Sequence, residues 1–382
     1  MTPQGRRELL AAVRPRYRQA PKAAKTRILD EFVANTGYHR KYAVRLLQHE
    51  EPAKRPAQPR PGRPRIYTAE MDRALRFIWE TCDHICGCRW QPFLPEMITV
   101  LERQGELVLP APVQILLCQM SDSTIDRHLA PARQQVPRRG LGTTKPGTLL
   151  KRDIPLRAGT EWDEHQPGFT EIDLVAHGGD SAAGEFIYTL DVVDVFTGWV
   201  ECQAIPNRGQ LATFAALVAI RSRLPFPLRG VDSDNGSEFI NQHLYRYCAR
   251  EKLVFTRSRP YRKNDQAHVE QKNWAVVRRL VGYDRYESPE ALTALNELYR
   301  LLRLYTNFFL PVLKLESKTR VDGKLKKKYD LARTPYQRVL EAPDVAEEAK
   351  AKLRETYRPL NPVSLRQQLD AQLERVWALV VR

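Results

Sequence analysis

The chain has 382 residues, of which 42% are hydrophobic, and it carries 61 Lys and Arg against 45 Asp and Glu, a formal net charge of +16. This length exceeds the size at which one hydrophobic core keeps growing, so two or three domains are expected. No run approaches the roughly 18 apolar residues of a membrane span, and the first residues lack a secretory apolar segment, which predicts a cytoplasmic protein without a membrane partner, nucleoid-associated if bacterial. The excess of cations favours a polyanionic partner, because neutralised phosphates release counterions.

The first fifty residues predict a helix-turn-helix DNA-binding domain, 1–50. Its helices are expected at Arg6 to Val13, Lys22 to Thr36 and Tyr38 to His49. Gly37 separates the second helix from a third that carries three cations, Arg40, Lys41 and Arg45, an arrangement typical of a recognition helix. The inward face of the third helix is predicted to comprise Tyr42, Val44 and Leu46. A plain three-helix bundle is the alternative.

A basic, proline-rich linker, 51–67, follows. Arg63 and Arg65 within it resemble the basic arms that bind a minor groove, and a solvated tether is the alternative. A second helical DNA-binding domain is predicted over 68–133. It ends in SDSTIDRHL, where a capped helix presents Thr124 and Arg127 as a second recognition surface. A further basic linker, 134–164, contains GLGTTKPG, which lacks the Gly-Lys pair of a phosphate-binding loop, so no nucleotide is expected.

An α/β pattern occupies 165–285. Strands are predicted at Phe169 to Val175, Glu185 to Phe196, Trp199 to Ile205, Leu228 to Ser233 and Leu253 to Arg257. Helices are predicted at Gln210 to Arg223, Ser237 to Lys252 and Asp265 to Val281. This order predicts a ribonuclease H-like mixed sheet. A largely helical, basic C-terminal region, 286–382, then contains a cationic segment, 314–328, whose Lys326, Lys327 and Lys328 are candidate DNA contacts.

Three acids are placed where phosphodiester chemistry would need them. Asp173 lies within the first strand, Asp234 ends the fourth, and Glu270 lies in the first turns of the helix that follows, after a gap of 35 residues (270 − 234 − 1). An acid in an apolar strand is unfavourable unless it is paired or bound to metal. Two divalent cations about 4 Å apart activate the attacking oxygen and stabilise the leaving one. Mg²⁺ prefers such oxygen ligands.

Other acids compete for the same site. Asp232 shares a strand face with Asp234 by the two-residue period of a strand. Asp191 and Asp194 are expected to face outward or to have structural roles. Glu238 is expected at the start of a helix and Asp265 as a cap. Asp234 is preferred because it adjoins the turn that follows its strand.

A cysteine cluster raises the possibility of zinc. Cys82, Cys86 and Cys88 surround His84. The spacing is not that of a zinc ribbon or finger, and no second pair of ligands follows. Small buried thiols at a helix end are the preferred interpretation.

The acids and their flanking residues resemble a known catalytic core. DNGSEF, EIDLV and KNDQAHVEQKN, with the 35-residue gap, resemble the D,D-35-E core that retroviral integrases share with bacterial insertion-sequence transposases. The helical N-terminus and a TPYQRV segment resemble the bacterial enzymes. The His-His-Cys-Cys zinc domain of retroviral integrases has no counterpart here.

The resemblance implies a transposase that cleaves the ends of a mobile element and transfers the freed 3′-hydroxyl strand into target DNA. Asp173, Asp234 and Glu270 would be its catalytic residues and the ligands of two Mg²⁺ ions, for which Mn²⁺ would substitute. Double-stranded DNA would be its partner. A homo-oligomer, a dimer or larger, is expected because two ends are handled together.

Helical spacing places Asn273, Trp274 and Val277 on roughly the face of Glu270. The nearby cations that could contact the DNA backbone are Lys263, Lys272 and Arg278, and a solvated surface is the alternative. Three other functions remain open at this point: a ribonuclease H-like nuclease, a transcription regulator, and a domesticated, catalytically inactive DNA-binding protein.

Overall fold

The computed structural model describes residues 1–48, 66–134, 166–181, 183–234, 236, 238–239, 242–257, 269, 272–321 and 324–381. They form two compact units, Met1–Ile66 and Tyr67–Arg382. No helix in these ranges is long and apolar enough to cross a membrane.

The N-terminal unit is built from three helices, α1 (Pro3–Gln19), α2 (Lys22–Thr36) and α3 (Arg40–Gln48). The first helix continues past Pro15, where the sequence predicts a stop. Contacts with α3 hold its last turns, since Arg14 Nε donates to the Leu46 carbonyl at 3.0 Å and Arg18 Nη2 to the Gln48 carbonyl at 3.0 Å. Tertiary hydrogen bonds thus outweigh the local cost of the proline.

The buried face of α3 differs from the predicted one. Ala43 and Leu47 are fully buried, whereas Tyr42 is 40% exposed. Positions four residues apart lie on one helix face, and the face that meets α1 and α2 is one residue further along than the sequence predicts. The second helix agrees with its predicted range and ends at Gly37, whose φ of 71° is readily adopted by glycine.

Five further helices precede the sheet: α4 (Ala69–Thr81), α5 (Gly87–Trp90), α6 (Leu94–Arg103), α7 (Ala111–Cys118) and α8 (Asp122–Arg133). The sequence predicts a separate domain here, but Trp79 and Trp90 lie in the same hydrophobic core as the C-terminal helices. Tyr305 Oη also donates to the Thr81 carbonyl at 2.5 Å. Because their apolar face is completed by distant residues, these helices belong to the second compact unit.

The central sheet is mixed, as predicted. Its strands are β1 (Phe169–Ala176), β2 (Tyr188–Asp194), β3 (Val200–Ile205), β4 (Gly230–Ser233) and β5 (Val254–Arg257). They lie in the order β3-β2-β1-β4-β5, with β1, β2 and β3 antiparallel and β4 and β5 parallel to β1. The two strands that precede the predicted aspartates are therefore neighbours and run in the same direction.

Helices cover both faces of this sheet. On one face Ile172, Leu190 and Val231 share a core with α9 (Gln210–Arg221) and α10 (Gln242–Arg250). On the other face α12 (Pro289–Phe309) packs against β3, while a helical turn over Asn273–Arg278 contacts β1. This second face carries Glu171, Asp173 and Asp191, and it is the face on which the candidate site lies.

The described part of the predicted helix 265–281 is not a regular α-helix. Asn273–Arg278 is π-helical, and a short α11, Arg279–Val281, follows. A π-helical turn has i→i+5 hydrogen bonds and is often found at functional sites. It buries Val276 and Val277 against the core and brings Asn273 to the first strand.

The C-terminal region contains a hairpin as well as helices. Strands β6 (Leu315–Val321) and β7 (Lys324–Tyr329) are antiparallel. They precede the helices α13 (Pro335–Glu341), α14 (Glu347–Tyr357) and α15 (Pro362–Ala378). A sequence signal for the hairpin exists, because the intervening dipeptide Asp322-Gly323 is favoured between paired strands.

Candidate active site

Asp173 lies in the middle of β1 and is held by two hydrogen bonds. The Leu174 backbone N donates to Asp173 Oδ1 at 2.8 Å, and Asn273 Nδ2 donates to Oδ2 at 2.6 Å. Burial and, second, the charge of Asp234 raise the pKa of the Asp173 carboxyl to about 7. The surroundings of this carboxyl therefore provide too little positive charge to stabilise its ionised form.

Asp234 follows β4 directly, at the end where β1 and β4 run in parallel. The Gly236 backbone N donates to Asp234 Oδ1 at 2.7 Å. Burial raises the pKa of Asp234, and the charge of Glu238 raises it further. A Cβ atom at Gly236 would lie 2.7 Å from the Glu238 carboxyl carbon and 2.8 Å from Asp234 Oδ1, so a larger residue here would displace one or both carboxylates.

Glu238 is a carboxylate that sequence analysis assigned to a helix start. In the structure α10 begins at Gln242, and Glu238 lies in the turn before it. Its carboxyl lies close to Asp234, as the crowding at Gly236 shows. The sequence offers one signal for this position: Glu238 follows Asp234 within the same DNGSEF segment.

The competing Asp232 occupies a different environment. It is fully buried and accepts a hydrogen bond from Thr256 Oγ1 on β5 at 2.6 Å. The groups that shift the pKa of Asp173 include Asp234 and Asp191. Asp234, beyond the end of its strand, is therefore the acid of this pair that lies beside Asp173.

Asp191 and Asp194 are both buried, which agrees with a structural role for Asp194 only. Asp194 Oδ1 accepts from Gly168 N at 2.7 Å, and its Oδ2 accepts from Thr197 N and Oγ1 at 2.7 and 2.6 Å. Asp191 is paired in register with Asp173 across β1 and β2. Burial raises its pKa to about 7. The outward-facing alternative is thus wrong for both acids, because Asp191 is 0% and Asp194 is 1% exposed.

Glu171 is a positioning acid that sequence analysis missed. It lies two residues before Asp173 on the same strand and is 1% exposed. Its Oε2 accepts from the Val269 backbone N at 3.0 Å. Val269 directly precedes Glu270 in the sequence, so this contact fastens that segment to β1. The alternation EID, with acids two residues apart, is the only sequence signal for it.

The predicted third ligand lies outside the part of the chain that the structure describes. This applies to Glu270 and also to three predicted DNA contacts, Arg63, Arg65 and Lys263. Within the described ranges no group of three or more His, Cys, Asp and Glu is arranged to hold a metal. The structure brings Asp173 and Asp234 together.

The two aspartates present the chemistry that a hard divalent cation requires. Both offer carboxylate oxygens, the preferred ligands of Mg²⁺. Burial raises the pKa of each, and the charge of Asp234 raises that of Asp173 further, as the charge of Glu238 does for Asp234. A bound cation would offset both effects. These residues therefore fit a divalent metal.

Two cations near the π-helical turn have different surroundings. Lys272 lies in an internal cavity that Arg89 and Asp83 also line. Burial, and then the charge of Arg89, lower its pKa to about 8. Lys272 is half-exposed, and its contact with a DNA backbone stays a prediction. Arg278 donates to the Gly282 carbonyl at 3.3 Å and lies over the Tyr283 ring.

The remaining predicted DNA contacts occupy exposed or half-exposed surfaces. Lys41 and Arg45 are exposed on α3, and Arg40 is exposed and paired with Asp30. Arg127 is exposed on α8, and its Nη2 donates to Thr124 Oγ1 at 3.3 Å. Ser121 caps that helix, as predicted, by accepting from the Thr124 N–H. The predicted contacts on the hairpin, Lys326, Lys327 and Lys328, are exposed as well.

The cysteine cluster is divided between core and surface. Cys82 is fully buried, and burial raises its pKa to about 12. Cys86 is half-buried and Cys88 is exposed. The expectation of buried thiols holds for the first of the three.

Comparisons with known proteins agree with this geometry. Residues 163–263 match the family described as Integrase core domain. "Uncharacterized protein y4rM" from Sinorhizobium fredii (strain NBRC 101917 / NGR234) is 44% identical over 330 residues, which cover 85% of this chain and 92% of y4rM. The catalytic core domain of BIV integrase aligns at 17% identity and a TM-score of 0.29, over 46% of this chain and 94% of that one.

The structural overlay has too low a TM-score to carry weight, so the family assignment rests on the two sequence matches. The chain belongs to the family of y4rM, and its central part is an integrase core domain.

Proposed function

We propose that this chain is a DNA transposase, which cleaves phosphodiester bonds at the ends of a mobile element and joins the freed 3′-hydroxyl to target DNA. One observation carries the proposal. Asp173 and Asp234 come from neighbouring parallel strands, and each has a pKa raised by burial and by a nearby acid. Half-buried acids with raised pKa values that lie next to each other cost stability, which is the pattern expected where function needs them.

Asp173, Asp234 and Glu270 would hold divalent cations, Mg²⁺ first and Mn²⁺ in its place. Such ions, when bound, polarise the phosphate and neutralise the charge that develops on it. Residues of this chain do the positioning. Asn273 orients Asp173 through its 2.6 Å hydrogen bond, and Glu171 fastens the backbone at Val269, next to Glu270.

The bond changes follow from the two substrates. In the first reaction water attacks the phosphorus at the element end, the P–O3′ bond breaks, and a 3′-hydroxyl is released. In the second reaction this hydroxyl attacks a phosphodiester of the target, and the target's own 3′-oxygen leaves with a proton. Each step exchanges one P–O bond for another, so neither needs an external energy source. The charges of Arg278 and Asp173 are close enough to interact, because burial lowers the pKa of Arg278 and the charge of Asp173 acts against that shift. Arg278 is therefore suitably placed to contact a nearby phosphate.

DNA binding is assigned to exposed cations outside the core. The N-terminal unit presents Lys41 and Arg45 on one exposed face of α3, with Tyr42 between them. We infer that this unit recognises the element ends in the manner of a helix-turn-helix. Because two ends are joined together, the working form would be a homo-oligomer on DNA.

The test starts from the DNA that flanks the gene. Terminal inverted repeats found there would be built into short duplexes and incubated with the full chain, a target plasmid and Mg²⁺. We expect release of 3′-hydroxyl ends and covalent joining of the duplex to the plasmid. Joining that persists in excess chelator would contradict the proposal. A chain that only cuts RNA in RNA–DNA hybrids would point to a ribonuclease H-like nuclease instead.

A further inference from the structure

We propose that the hairpin of β6 and β7 is a DNA-binding ribbon that enters the major groove of duplex DNA. The inference rests on the proposed function and deepens it, because it assigns a second DNA contact to an element far along the chain from the N-terminal unit. It starts from a hairpin whose described side chains are exposed on both faces.

Both faces of the hairpin are solvent-exposed. Consecutive residues in a strand point to opposite faces, and the neighbouring Lys326, Lys327 and Lys328 are all exposed. On the partner strand Thr319 and Arg320 are exposed as well. An isolated two-stranded hairpin without packing is only marginally stable in water, so something other than a core must stabilise these two strands.

The charge pattern indicates what that partner is. Lys318 is paired in register with Lys327, and like charges opposite each other destabilise a strand pair. The described ion pair of the hairpin joins Lys328 Nζ to Glu316 Oε2 at 2.7 Å. The strands contain six cations, at positions 318, 320, 324, 326, 327 and 328, against the single acid Glu316. A bound polyanion would offset the repulsion between these lysines, because each of them would be attracted to its negative charges.

The base of the hairpin, by contrast, is firmly anchored. Lys314 N donates to Asp330 Oδ1 at 2.7 Å, and Arg338, which is 8% exposed, pairs with Asp330 Oδ2 at 2.7 Å. Lys314 Nζ also donates to the Phe196 carbonyl, in the turn between β2 and β3, at 2.6 Å. An exposed ribbon on a fixed base is suited to hold a large partner in one orientation relative to the sheet.

The dimensions favour the major groove. Paired strands lie about 4.8 Å apart, and a major groove about 12 Å wide admits a two-stranded ribbon. Entry into a minor groove about 6 Å wide would require the DNA to be bent or kinked. Because exposed lysines lie on both faces of the ribbon, an inserted ribbon would contact phosphates on both walls of the groove. Lysines are compact point charges, so the contact is expected to be independent of sequence.

The experiment compares three full-length proteins: the wild type, a hairpin variant with Lys326→Gln, Lys327→Gln and Lys328→Gln, and a matched control. The control carries Lys352→Gln, Arg358→Gln and Arg375→Gln, which remove the same charge from exposed positions outside the hairpin. Affinity for a random-sequence duplex is measured from about 50 to 200 mM salt. The hairpin variant should bind at least about tenfold more weakly, and its log–log salt slope should be shallower by about two to three units.

A second duplex tests entry into the groove. Its cytosines carry glucosylated 5-hydroxymethyl groups, which fill the major groove and leave the phosphates unchanged. The ratio of wild-type to variant affinity should fall close to one on this DNA. It should be unchanged when netropsin occupies the minor groove of an A·T-rich duplex. A ratio that persists on glucosylated DNA would overturn groove entry.

The remaining outcomes separate this inference from the proposed function. If the hairpin variant binds like the control while the wild type still cleaves element ends, the ribbon assignment fails and the transposase proposal stands. If the wild type binds no duplex at any salt concentration, both fail. Thermal unfolding midpoints of the three proteins should agree, because the substituted side chains are exposed.

Discussion

Asn273 Nδ2 donates a 2.6 Å hydrogen bond to Asp173 Oδ2, and this bond ties the π-helical turn to the middle of the first strand. Among the described residues, the other carboxylate oxygen, Asp173 Oδ1, accepts a hydrogen bond from the Leu174 backbone N. The turn follows Glu270 in the chain, so the same bond links the segments of the first and third predicted acids.

Asn273→Ala should lower the rate of 3′-end cleavage by about ten- to a hundredfold, because residues that orient a metal ligand have effects of that size. As a positioning residue, Asn273 should affect metal dependence more than DNA affinity. We expect higher Mn²⁺ concentrations to restore part of the activity. Unchanged cleavage at every metal concentration would show that the hydrogen bond has no role in the reaction.

Asp173→Asn, Asp234→Asn and Glu270→Gln should each abolish both cleavage and strand transfer, since each removes an anionic ligand and keeps the side-chain shape. DNA affinity should change little. Asp232→Asn is the matched control, because its Oδ1 can still accept from Thr256. We expect that variant to remain active with Mg²⁺ or Mn²⁺. The assignment of Asp234 would be refuted if Asp232→Asn were inactive and Asp234→Asn were not.

The metal-free protein should become less stable as pH rises from about 4 through 7. Burial raises the pKa of Asp173 and of Asp191 to about 7 in the folded chain. Raised carboxyl pKa values favour folding at pH values below the unfolded pKa, and this contribution is lost as pH rises through the folded one. In chelator at pH 8, Asp173→Asn should therefore raise the free energy of unfolding, by roughly 1–2 kcal/mol after solvent screening.

Asp194→Asn provides the contrasting control for that measurement. Burial also raises the pKa of Asp194, to about 6, but three hydrogen bonds from Gly168 and Thr197 hold its oxygens. An amide would replace one acceptor with a donor and should destabilise the fold by about 1–3 kcal/mol. Mg²⁺ should raise the wild-type unfolding temperature and leave that of Asp173→Asn nearly unchanged. Equal responses of the two proteins to Mg²⁺ would contradict a metal site at Asp173.

Lys41→Gln combined with Arg45→Gln should reduce binding to the element ends more than binding to random duplex. Both residues are exposed on α3, and the ring of Tyr42 lies 5.0 Å from the Arg45 guanidinium. Lys22→Gln with Arg27→Gln, on exposed positions of α2, removes equal charge from the same unit. A gel-shift comparison on both DNAs measures the effect. Equal losses for the two variants would argue against recognition by α3.

Local sequence determined much of the sheet and its acids. Alternating β-branched and aromatic residues predict all five strands within a few residues of their observed ends, because that period reflects burial on a pleated face. The same reasoning placed Asp173 inside a strand and Asp234 just beyond one. Both positions depend on residues close in sequence, so they could be predicted without any tertiary contact.

Contacts between distant segments decided the rest. Trp79 and Trp90 join the C-terminal helices because their apolar faces have no local partner, which no local pattern reveals. The continuation of α1 past Pro15, the cavity that Lys272 and Arg89 both line, and the contact from Glu171 to Val269 all involve atoms that only folding brings together. A periodic pattern states which side of an element is buried, whereas the identity of the neighbour depends on how the elements pack.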